Sequence, residues 1–309
     1  MYKLISSSAH ETGLDEKSIQ CIVTSPPYWG LRKYTGDQGI EWPEISYSPM
    51  PGLPELHIEP MTCELGLEPT PEMYIGHMVL VAREMWRVLR DDGTFWMNLG
   101  DSYASSIKGS GGPSEKQLSN AGSRYETNQR FRHGLKSKDL CGIPWRVAFA
   151  LQADGWYLRS DIIWSKTNPM PESVTDRPTK AHEYLFLLTK RAKYFYDSES
   201  IREISSTARR TNGTALGRNR RTVWHLATQP YKGAHFAVFP EKLITPCVLA
   251  GSKRGDTVLD PFSGSGTTGV VAMRHGRNYI GIDISDEYNR ELAEKRLSDV
   301  NMAFPIFPH

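Results

Sequence analysis

The stretch Thr24-Ser25-Pro26-Pro27-Tyr28-Trp29-Gly30 follows a short apolar run, Cys21-Ile22-Val23, so a chemically loaded loop sits at the end of a buried strand. Proline has no N–H and a fixed φ, and tandem prolines therefore hold their carbonyls outward on a stiff loop. The Ser25 hydroxyl and the Pro26 carbonyl form a natural pair of acceptors. Such a pair can hold both hydrogens of an aromatic amino group. The nitrogen lone pair, otherwise delocalised into the ring, then becomes pyramidal and nucleophilic. Tyr28 offers a flat face on which a base swung out of a duplex can stack.

A second constellation lies near the other end of the chain. Asp260-Pro261-Phe262-Ser263-Gly264-Ser265-Gly266-Thr267-Thr268-Gly269 contains G-x-G-x-x-G between a strand-like run, Asp256 to Asp260, and a helical pattern, Thr267 to His275. Glycines there allow a sharp turn and a close approach of a ligand to the backbone. Asp283 ends the next strand, where a carboxylate can accept two hydrogen bonds from a ribose diol. A dinucleotide would set its pyrophosphate against Asp260 and Phe262, an unfavourable meeting of like charges. S-adenosylmethionine has no phosphate but carries an ammonium and a sulfonium, which Asp260 suits. Asp260, Pro261, Phe262, Gly264, Gly266, Thr267 and Asp283 thus read as a cofactor site for S-adenosyl-L-methionine.

The elements that must position these groups are legible from periodicity. Ile75, Met78, Val79, Ala82, Met85, Trp86 and Leu89 repeat at three- and four-residue intervals and predict a helix over 74–90. Thr94 to Leu99 reads as the next strand, and Pro144 opens a helix ending near Gly155. Leu158 to Trp164 and Glu183 to Thr189 read as strands, Pro240 to Ala250 as a helix, and Asp286 to Val300 as a charged closing helix. The proline-rich stretch from Trp42 to Pro71 reads as an irregular surface excursion, and the Gly/Ser/Asn-rich, basic stretch from Ser105 to Asp139 as a mobile loop. A β-α-β-α unit therefore stands at the C-terminal end, where a doubly wound sheet would ordinarily begin.

These motifs explain one another through a family. Thr24-Ser25-Pro26-Pro27-Tyr28 resembles the catalytic motif of the amino-group DNA methyltransferases, and Asp260-Pro261-Phe262-Ser263-Gly264-Ser265-Gly266 resembles their cofactor motif. The catalytic motif comes first, the circularly permuted order of the β class. The resemblance implies an α/β fold: a Rossmann-like, doubly wound, mostly parallel seven-stranded sheet with the two motif-bearing strands side by side, and a small DNA target-recognition lobe. Asn98-Leu99-Gly100-Asp101-Ser102-Tyr103 is similar to the family's strand-5 motif, which implies that Asp101 can sit against Ser25. Trp164 to Ser173, with Asp176-Arg177-Pro178 and His182-Glu183, is similar to the segment after strand 6. His235-Phe236-Ala237-Val238-Phe239-Pro240 resembles the segment lining the methionine half of the cofactor, which implies contacts from Phe236 and Phe239. One departure is plain: where family members carry Gly-Asp before the catalytic strand, this chain has Ser6-Ser7-Ser8-Ala9-His10.

The expected organisation is a catalytic half over 1–197, a target-recognition region over 198–234 and a cofactor half over 235–309 of the same domain. The recognition assignment rests on a basic stripe: Arg202, Arg209, Arg210, Arg218, Arg220 and Arg221 face Glu203 as the segment's only acid. Arg209, Arg210, Arg218, Arg220 and Arg221 are the candidate DNA contacts. Ser in the first motif position goes in the family mostly with cytosine N4, and Asp with adenine N6, so the expected reaction is N4 methylation of cytosine in double-stranded DNA. Adenine N6 is the alternative, and a catalytically silent DNA-binding protein on this fold a more distant one. A nicotinamide enzyme would leave the Pro-Pro loop unexplained.

Other classes are excluded by composition. No stretch of about 18 apolar residues could span a membrane. The four cysteines stand far apart without a C-x-x-C pair, which argues against a disulfide framework or a metal site and for a reducing cytoplasm. A cognate restriction endonuclease and a second copy of the chain stand as candidate partners. If the loop chemistry is as read, Ser25→Ala and Tyr28→Ala each lower methylation by about 10²-fold or more while leaving cofactor binding nearly intact. Incorporation of radiolabelled methyl into duplex DNA measures it, and a near wild-type rate in Tyr28→Ala would give the loop another role.

Overall fold

The structure is a computed structural model that describes residues 1–30, 39–104, 135–203, 217–229, 239–285 and 292–300 and, as backbone alone, 210–211, 214–215 and 301–303. Along the chain run strands β1 (Tyr2–Ser6), β2 (Ile19–Thr24), β3 (Ile40–Trp42), β4 (Ile45–Tyr47), β5 (Leu56–Ile58) and β6 (Met61–Cys63), helix α1 (Pro71–Val88) and strand β7 (Leu89–Leu99). Helix α2 (Ile143–Ala153) follows, then β8 (Tyr157–Lys166), β9 (His182–Thr189), β10 (Arg210–Thr211), β11 (Thr214–Ala215) and β12 (Val223–Leu226). The last part alternates: α3 (Glu241–Gly251), β13 (Thr257–Asp260), α4 (Thr267–Arg274), β14 (Asn278–Asp283) and α5 (Glu294–Ala303).

Eight strands form one sheet in the order β1-β14-β13-β2-β7-β9-β8-β12. The pairs β1–β14, β13–β14, β13–β2, β2–β7 and β8–β12 are parallel, and β8–β9 is antiparallel. The expected count of seven is corrected by β12, which adds to the edge beside β8. It escaped the sequence because its four residues lie in a basic segment and bury one large side chain, Trp224.

The two motif strands are neighbours as expected, with Val258 opposite Cys21 and Leu259 opposite Ile22. From β13 the chain moves outward through β14, whereas from β2 it moves the other way to β7. The boundary between β13 and β2 is therefore the switch point of the sheet, outside whose carboxyl ends ligands of such folds bind. Every residue of β2 is buried, which suits a near-continuous apolar run in the middle of a parallel sheet.

The chain gathers into two compact units. One holds Met1–Ser25, Met85–Asn98 and the described residues from Tyr157 onward, and carries the sheet; the other holds Pro26–Glu84 and Leu99–Trp156. In the sheet unit Val23, Val258, Val270, Leu243, Cys247 and Leu297 share one core. Glycine sets the spacing of helix on strand: a Cβ on Gly269 of α4 would lie 2.5 Å from the Tyr279 ring and 2.6 Å from Leu297.

In the second unit the stretch Trp42 to Pro71 is not irregular. β3 pairs with β6 and β4 with β5, both antiparallel, and Trp42 and Tyr47 are fully buried. Strands of three residues are too short for alternation to show against the interleaved prolines. Gly76 of α1 admits Ile45, Ile58 and Tyr47 to within 3.2–3.3 Å of its missing Cβ. Arg83 of α1 grips Asp154, the residue ending α2, through Nε to both carboxylate oxygens at 3.1 Å.

The close contact at Gly269 yields a test. Gly269→Ala is expected to cost about 1–3 kcal/mol of stability through overpacking against Tyr279. Thermal unfolding measures it, and an unchanged melting temperature would mean that α4 moves away at no cost.

Candidate active site

The cofactor motif is organised by one buried carboxylate. Asp260, 1% exposed at the end of β13, accepts hydrogen bonds on Oδ1 from the Thr24 hydroxyl (2.6 Å) and the Phe262 N–H (3.1 Å), and on Oδ2 from the Thr268 hydroxyl (2.7 Å). It thereby ties the end of β2, the glycine loop and the first turn of α4 to one point. Burial nonetheless outweighs these bonds and the carboxyl is pushed up to about 6, with the neighbouring Asp283 adding to the effect. Pro261 and Phe262 follow it, Pro261 buried and Phe262 half-buried, and Thr267 is buried at the start of α4.

Asp283 ends β14, where its Oδ2 accepts the Gly264 N–H at 2.8 Å and its Oδ1 the Ser285 N–H at 3.0 Å. Burial raises its carboxyl as well, against those two backbone bonds. Gly264 (φ +48°) has open space where a Cβ would be, the nearest atom being the Phe262 carbonyl oxygen at 4.0 Å. Gly266 (φ +73°) is closed by Ala293 at 3.2 Å. The two glycines therefore differ: one leaves backbone open to a ligand, the other lets the loop meet the closing segment. Ser6, in the segment standing where the family carries Gly-Asp, is in register with Asp283, and the Ser7 N–H bonds the Asp283 carbonyl at 3.2 Å.

Sequence reasoning missed Arg296 of α5. One guanidinium nitrogen donates to the Ser265 carbonyl (2.7 Å), the Ser265 hydroxyl (2.9 Å) and the Thr267 hydroxyl (3.1 Å), bracing the glycine loop. Nothing in a charged helix separates this arginine from its solvated neighbours.

The catalytic motif leaves β2 at Thr24, with Ser25 half-buried. In the second unit the Pro27 carbonyl accepts the hydroxyl of Tyr74, a fully buried residue of α1, at 2.9 Å. Tyr28 is half-buried and held on two sides. A Cβ on Gly100 would lie 2.5 Å from its ring, and one on Gly66 (φ +93°) 3.0 Å from its carbonyl oxygen. Gly100 belongs to the strand-5 motif, but Gly66 and Tyr74 carry no sequence signal of this role.

Asp101 has structural work in the same unit. Its carboxylate accepts the N–H groups of Ser102 (2.9 Å), Gly142 (3.1 Å) and Ile143 (3.1 Å), and so caps the start of α2. Cys63, Glu68 and His77 bring metal-ligating atoms within 4.8 Å of one another, a grouping invisible in a sequence read as having no metal site.

Of the remaining site residues, Phe239 packs against the sheet core, and Phe236 lies outside the described residues. Arg209 also lies outside them, and Arg210 is described only as backbone in β10. Arg218 and Arg221 both bond Glu203 Oε2 through Nε, at 3.2 and 3.0 Å. The guanidinium of Arg220 lies 4.4 Å above the Trp224 ring. The lone acid of the basic stripe is thus the post on which two of its arginines are fixed.

A cofactor loop at the switch point, with a Ser-Pro-Pro-Tyr motif following the neighbouring strand, defines an S-adenosylmethionine-dependent amino-methyltransferase. A family model described as "DNA methylase", of the N6/N4 type, matches residues 19–295. The chain is 49% identical over 276 residues to the Type II methyltransferase M.Cfr9I of Citrobacter freundii, covering 89% of this chain and 80% of that one. It is 47% identical over 299 residues to M.SmaI of Serratia marcescens, covering 96% and 90%. Among solved structures it resembles a PvuII DNA methyltransferase described as cytosine-N4-specific (TM-score 0.61, 17% identity, 97% and 90% covered). It also resembles a Thermus thermophilus protein complexed with S-adenosyl-L-methionine (TM-score 0.60, 22% identity, 98% of each chain covered). The chain belongs to the N6/N4 DNA methylase family: it is an enzyme of the S-adenosylmethionine-dependent DNA amino-methyltransferase class, with DNA as substrate.

The residues present fit that cofactor. Gly264 leaves a cradle that a Cβ would fill, and Asp283 is an acceptor at its rim. A cationic ligand favours the ionised form of Asp260, so binding lowers a carboxyl that stands at about 6 in the free protein. Affinity for S-adenosylmethionine is therefore expected to weaken as pH falls through about 6, with proton release on binding in that range. Calorimetry at a series of pH values on either side of that point reads this, and Asp260→Asn should flatten the profile. A profile equally steep in that variant would assign the proton elsewhere.

Proposed function

We propose that this chain is a Type II modification enzyme that methylates the exocyclic N4 of cytosine in double-stranded DNA. The supporting observation is the Ser25-Pro26-Pro27-Tyr28 loop. Tyr74 takes the Pro27 carbonyl, and the roles of holding the two amino hydrogens fall to the Pro26 carbonyl and the Ser25 hydroxyl. The target base swings out of the duplex and stacks on Tyr28, whose ring is backed by Gly100. The bound cofactor supplies an electrophilic methyl group. Held by Asp283 and the glycine loop, it would give that methyl group directly to the amino nitrogen that Ser25 and Pro26 present, and one amino proton would pass to water. Asp283 accepts from the ribose hydroxyls, and the field of Asp260 favours the cofactor's positive charge. Phe236 and Phe239 line its methionine half. Ser25 in the first motif position favours cytosine; adenine N6 poses the same chemical problem to the same acceptors.

Recognition is proposed for the 198–234 region, in which Arg209, Arg210, Arg218, Arg220 and Arg221 meet DNA. Arg218 and Arg221, pinned to Glu203, suit phosphate contacts of fixed geometry. Arg220, backed by Trp224, is the better candidate for reading a base. A cytoplasmic restriction endonuclease of matching specificity is the proposed partner system.

Two measurements test this. Digestion of methylated duplex DNA to nucleosides is expected to yield N4-methylcytosine. N6-methyladenine in its place would transfer the reading to the alternative base, and no methylation at all would sink it. Arg220→Ala is expected to cost about 1–3 kcal/mol of binding on the cognate site alone. Arg218→Ala should weaken binding to all DNA and lower the salt slope by about one. Identical behaviour of both variants across a salt titration would move recognition out of this region.

A further inference from the structure

Apart from the residues proposed to meet cofactor or base, the second unit buries an acid beside a histidine. Glu68 and His77 side chains are both fully buried, with Glu68 Oε1 2.9 Å from His77 Nδ1. Burial pushes the Glu68 carboxyl up in spite of hydrogen bonds from His77 and Gly66. His77 Nε2 is buried without a hydrogen-bond partner among the described residues, and the ring is stacked on Trp42 at 4.3 Å with 8° between planes. Taking such a pair out of water costs stability, and a buried ring nitrogen left without a partner adds to that cost.

What it holds is the catalytic loop. Glu68 Oε2 accepts the Gly66 N–H at 2.8 Å, and the Glu68 carbonyl accepts the Trp29 indole N–H at 2.9 Å. The Gly66 carbonyl accepts the Gly30 N–H at 2.7 Å, and the bare face of Gly66 lies against the Tyr28 carbonyl. Three consecutive residues, Tyr28, Trp29 and Gly30, are thus each fixed by the segment Gly66–Glu68, and that segment is fixed by His77 on α1.

We propose that Glu68 and His77 are positioning residues: the hydrogen bond from His77 to Glu68 locks the Gly66–Glu68 segment, which holds Tyr28 in the orientation that receives the flipped base. The proposal rests on the reading of Tyr28 as the stacking surface, and adds the residues that aim it. A pair working through hydrogen bonds tolerates an uncharged mimic. Asn at 77 sets an amide nitrogen where Nδ1 stands, and Gln at 68 keeps both an acceptor and a donor. Phe at 77 keeps the stack on Trp42 but has no donor.

The experiment uses the full chain. His77→Phe is expected to lower kcat by about 10- to 100-fold, the scale of a misplacement near 1 Å, with affinity for S-adenosylmethionine unchanged in calorimetry. His77→Asn and Glu68→Gln should stay within about 3-fold of wild type, following the same argument. Amide hydrogen exchange at Gly30 should quicken in His77→Phe alone. If that variant does not fold, Trp29→Phe removes the indole bond to Glu68 while leaving the Glu68–His77 pair in place, and is expected to lower kcat several-fold with cofactor affinity intact.

A wild-type kcat and wild-type Gly30 exchange in His77→Phe would overturn the proposal. So would equal losses of kcat and melting temperature in His77→Phe and His77→Asn, which would mark the pair as packing only. Stoichiometric zinc in the purified protein, lost in Glu68→Gln, would overturn it in favour of a Cys63–Glu68–His77 metal site. Quickened Gly30 exchange in His77→Phe together with unaltered methylation would instead sink the role of Tyr28 and leave the clamp standing.

Discussion

The hydrogen bond from the Thr24 hydroxyl to the Asp260 carboxylate is the contact that joins the ends of β2 and β13. Its partners lie at adjacent strand ends on the two sides of the switch point, 236 residues apart in the chain. A carboxylate buried this deeply is expensive, and a carboxyl standing near 6 retains a preference of roughly 3 kcal/mol for its proton over an ordinary aspartate. Each of the three donors that surround it also fixes a different element. The tie thus makes one rigid corner out of β2, the glycine loop and α4. Ser25 follows Thr24 directly, so a shift at this corner would be inherited by Ser25.

Within each unit, packing is set by absences as much as by contacts. Gly269 lets α4 sit on Tyr279, and Gly66 and Gly100 let the backbone close on Tyr28. Each of these positions would meet atoms at 3.0 Å or less if it carried a Cβ. Gly264 is different in kind, since its missing side chain leaves room and not a contact. Within one cofactor motif, glycine therefore serves packing at one position and access at another.

Around Glu203 the logic is the opposite. Counted along the chain, Arg202 to Arg221 is a run of arginines with one acid, which reads as a basic stripe of the kind that neutralises phosphates. In the fold Glu203 holds Arg218 and Arg221, and Arg220 lies over Trp224. Charge that would otherwise move freely is given an orientation, and orientation is what separates reading a base edge from neutralising phosphates.

The sequence by itself determined the family and most of the architecture, because both are written locally. A strand, a turn and a helix in succession make the glycine loop. Two prolines and a tyrosine make the stiff loop after β2, and the order of the two motifs implies the permuted sheet. The adjacency of the strands that pair Val258 with Cys21 follows from that order. Tertiary structure decided what stiffens these pieces. The Glu68–His77 pair, the bare faces of Gly66 and Gly100, the brace from Arg296, the short paired strands between Trp42 and Cys63 and the edge strand at Val223 all depend on what a residue meets across space. A buried histidine, a glycine pressed on a ring and an arginine on a charged helix have the same composition and spacing as residues that do nothing. Their roles come from contacts between segments far apart in sequence, and periodicity carries no information about those.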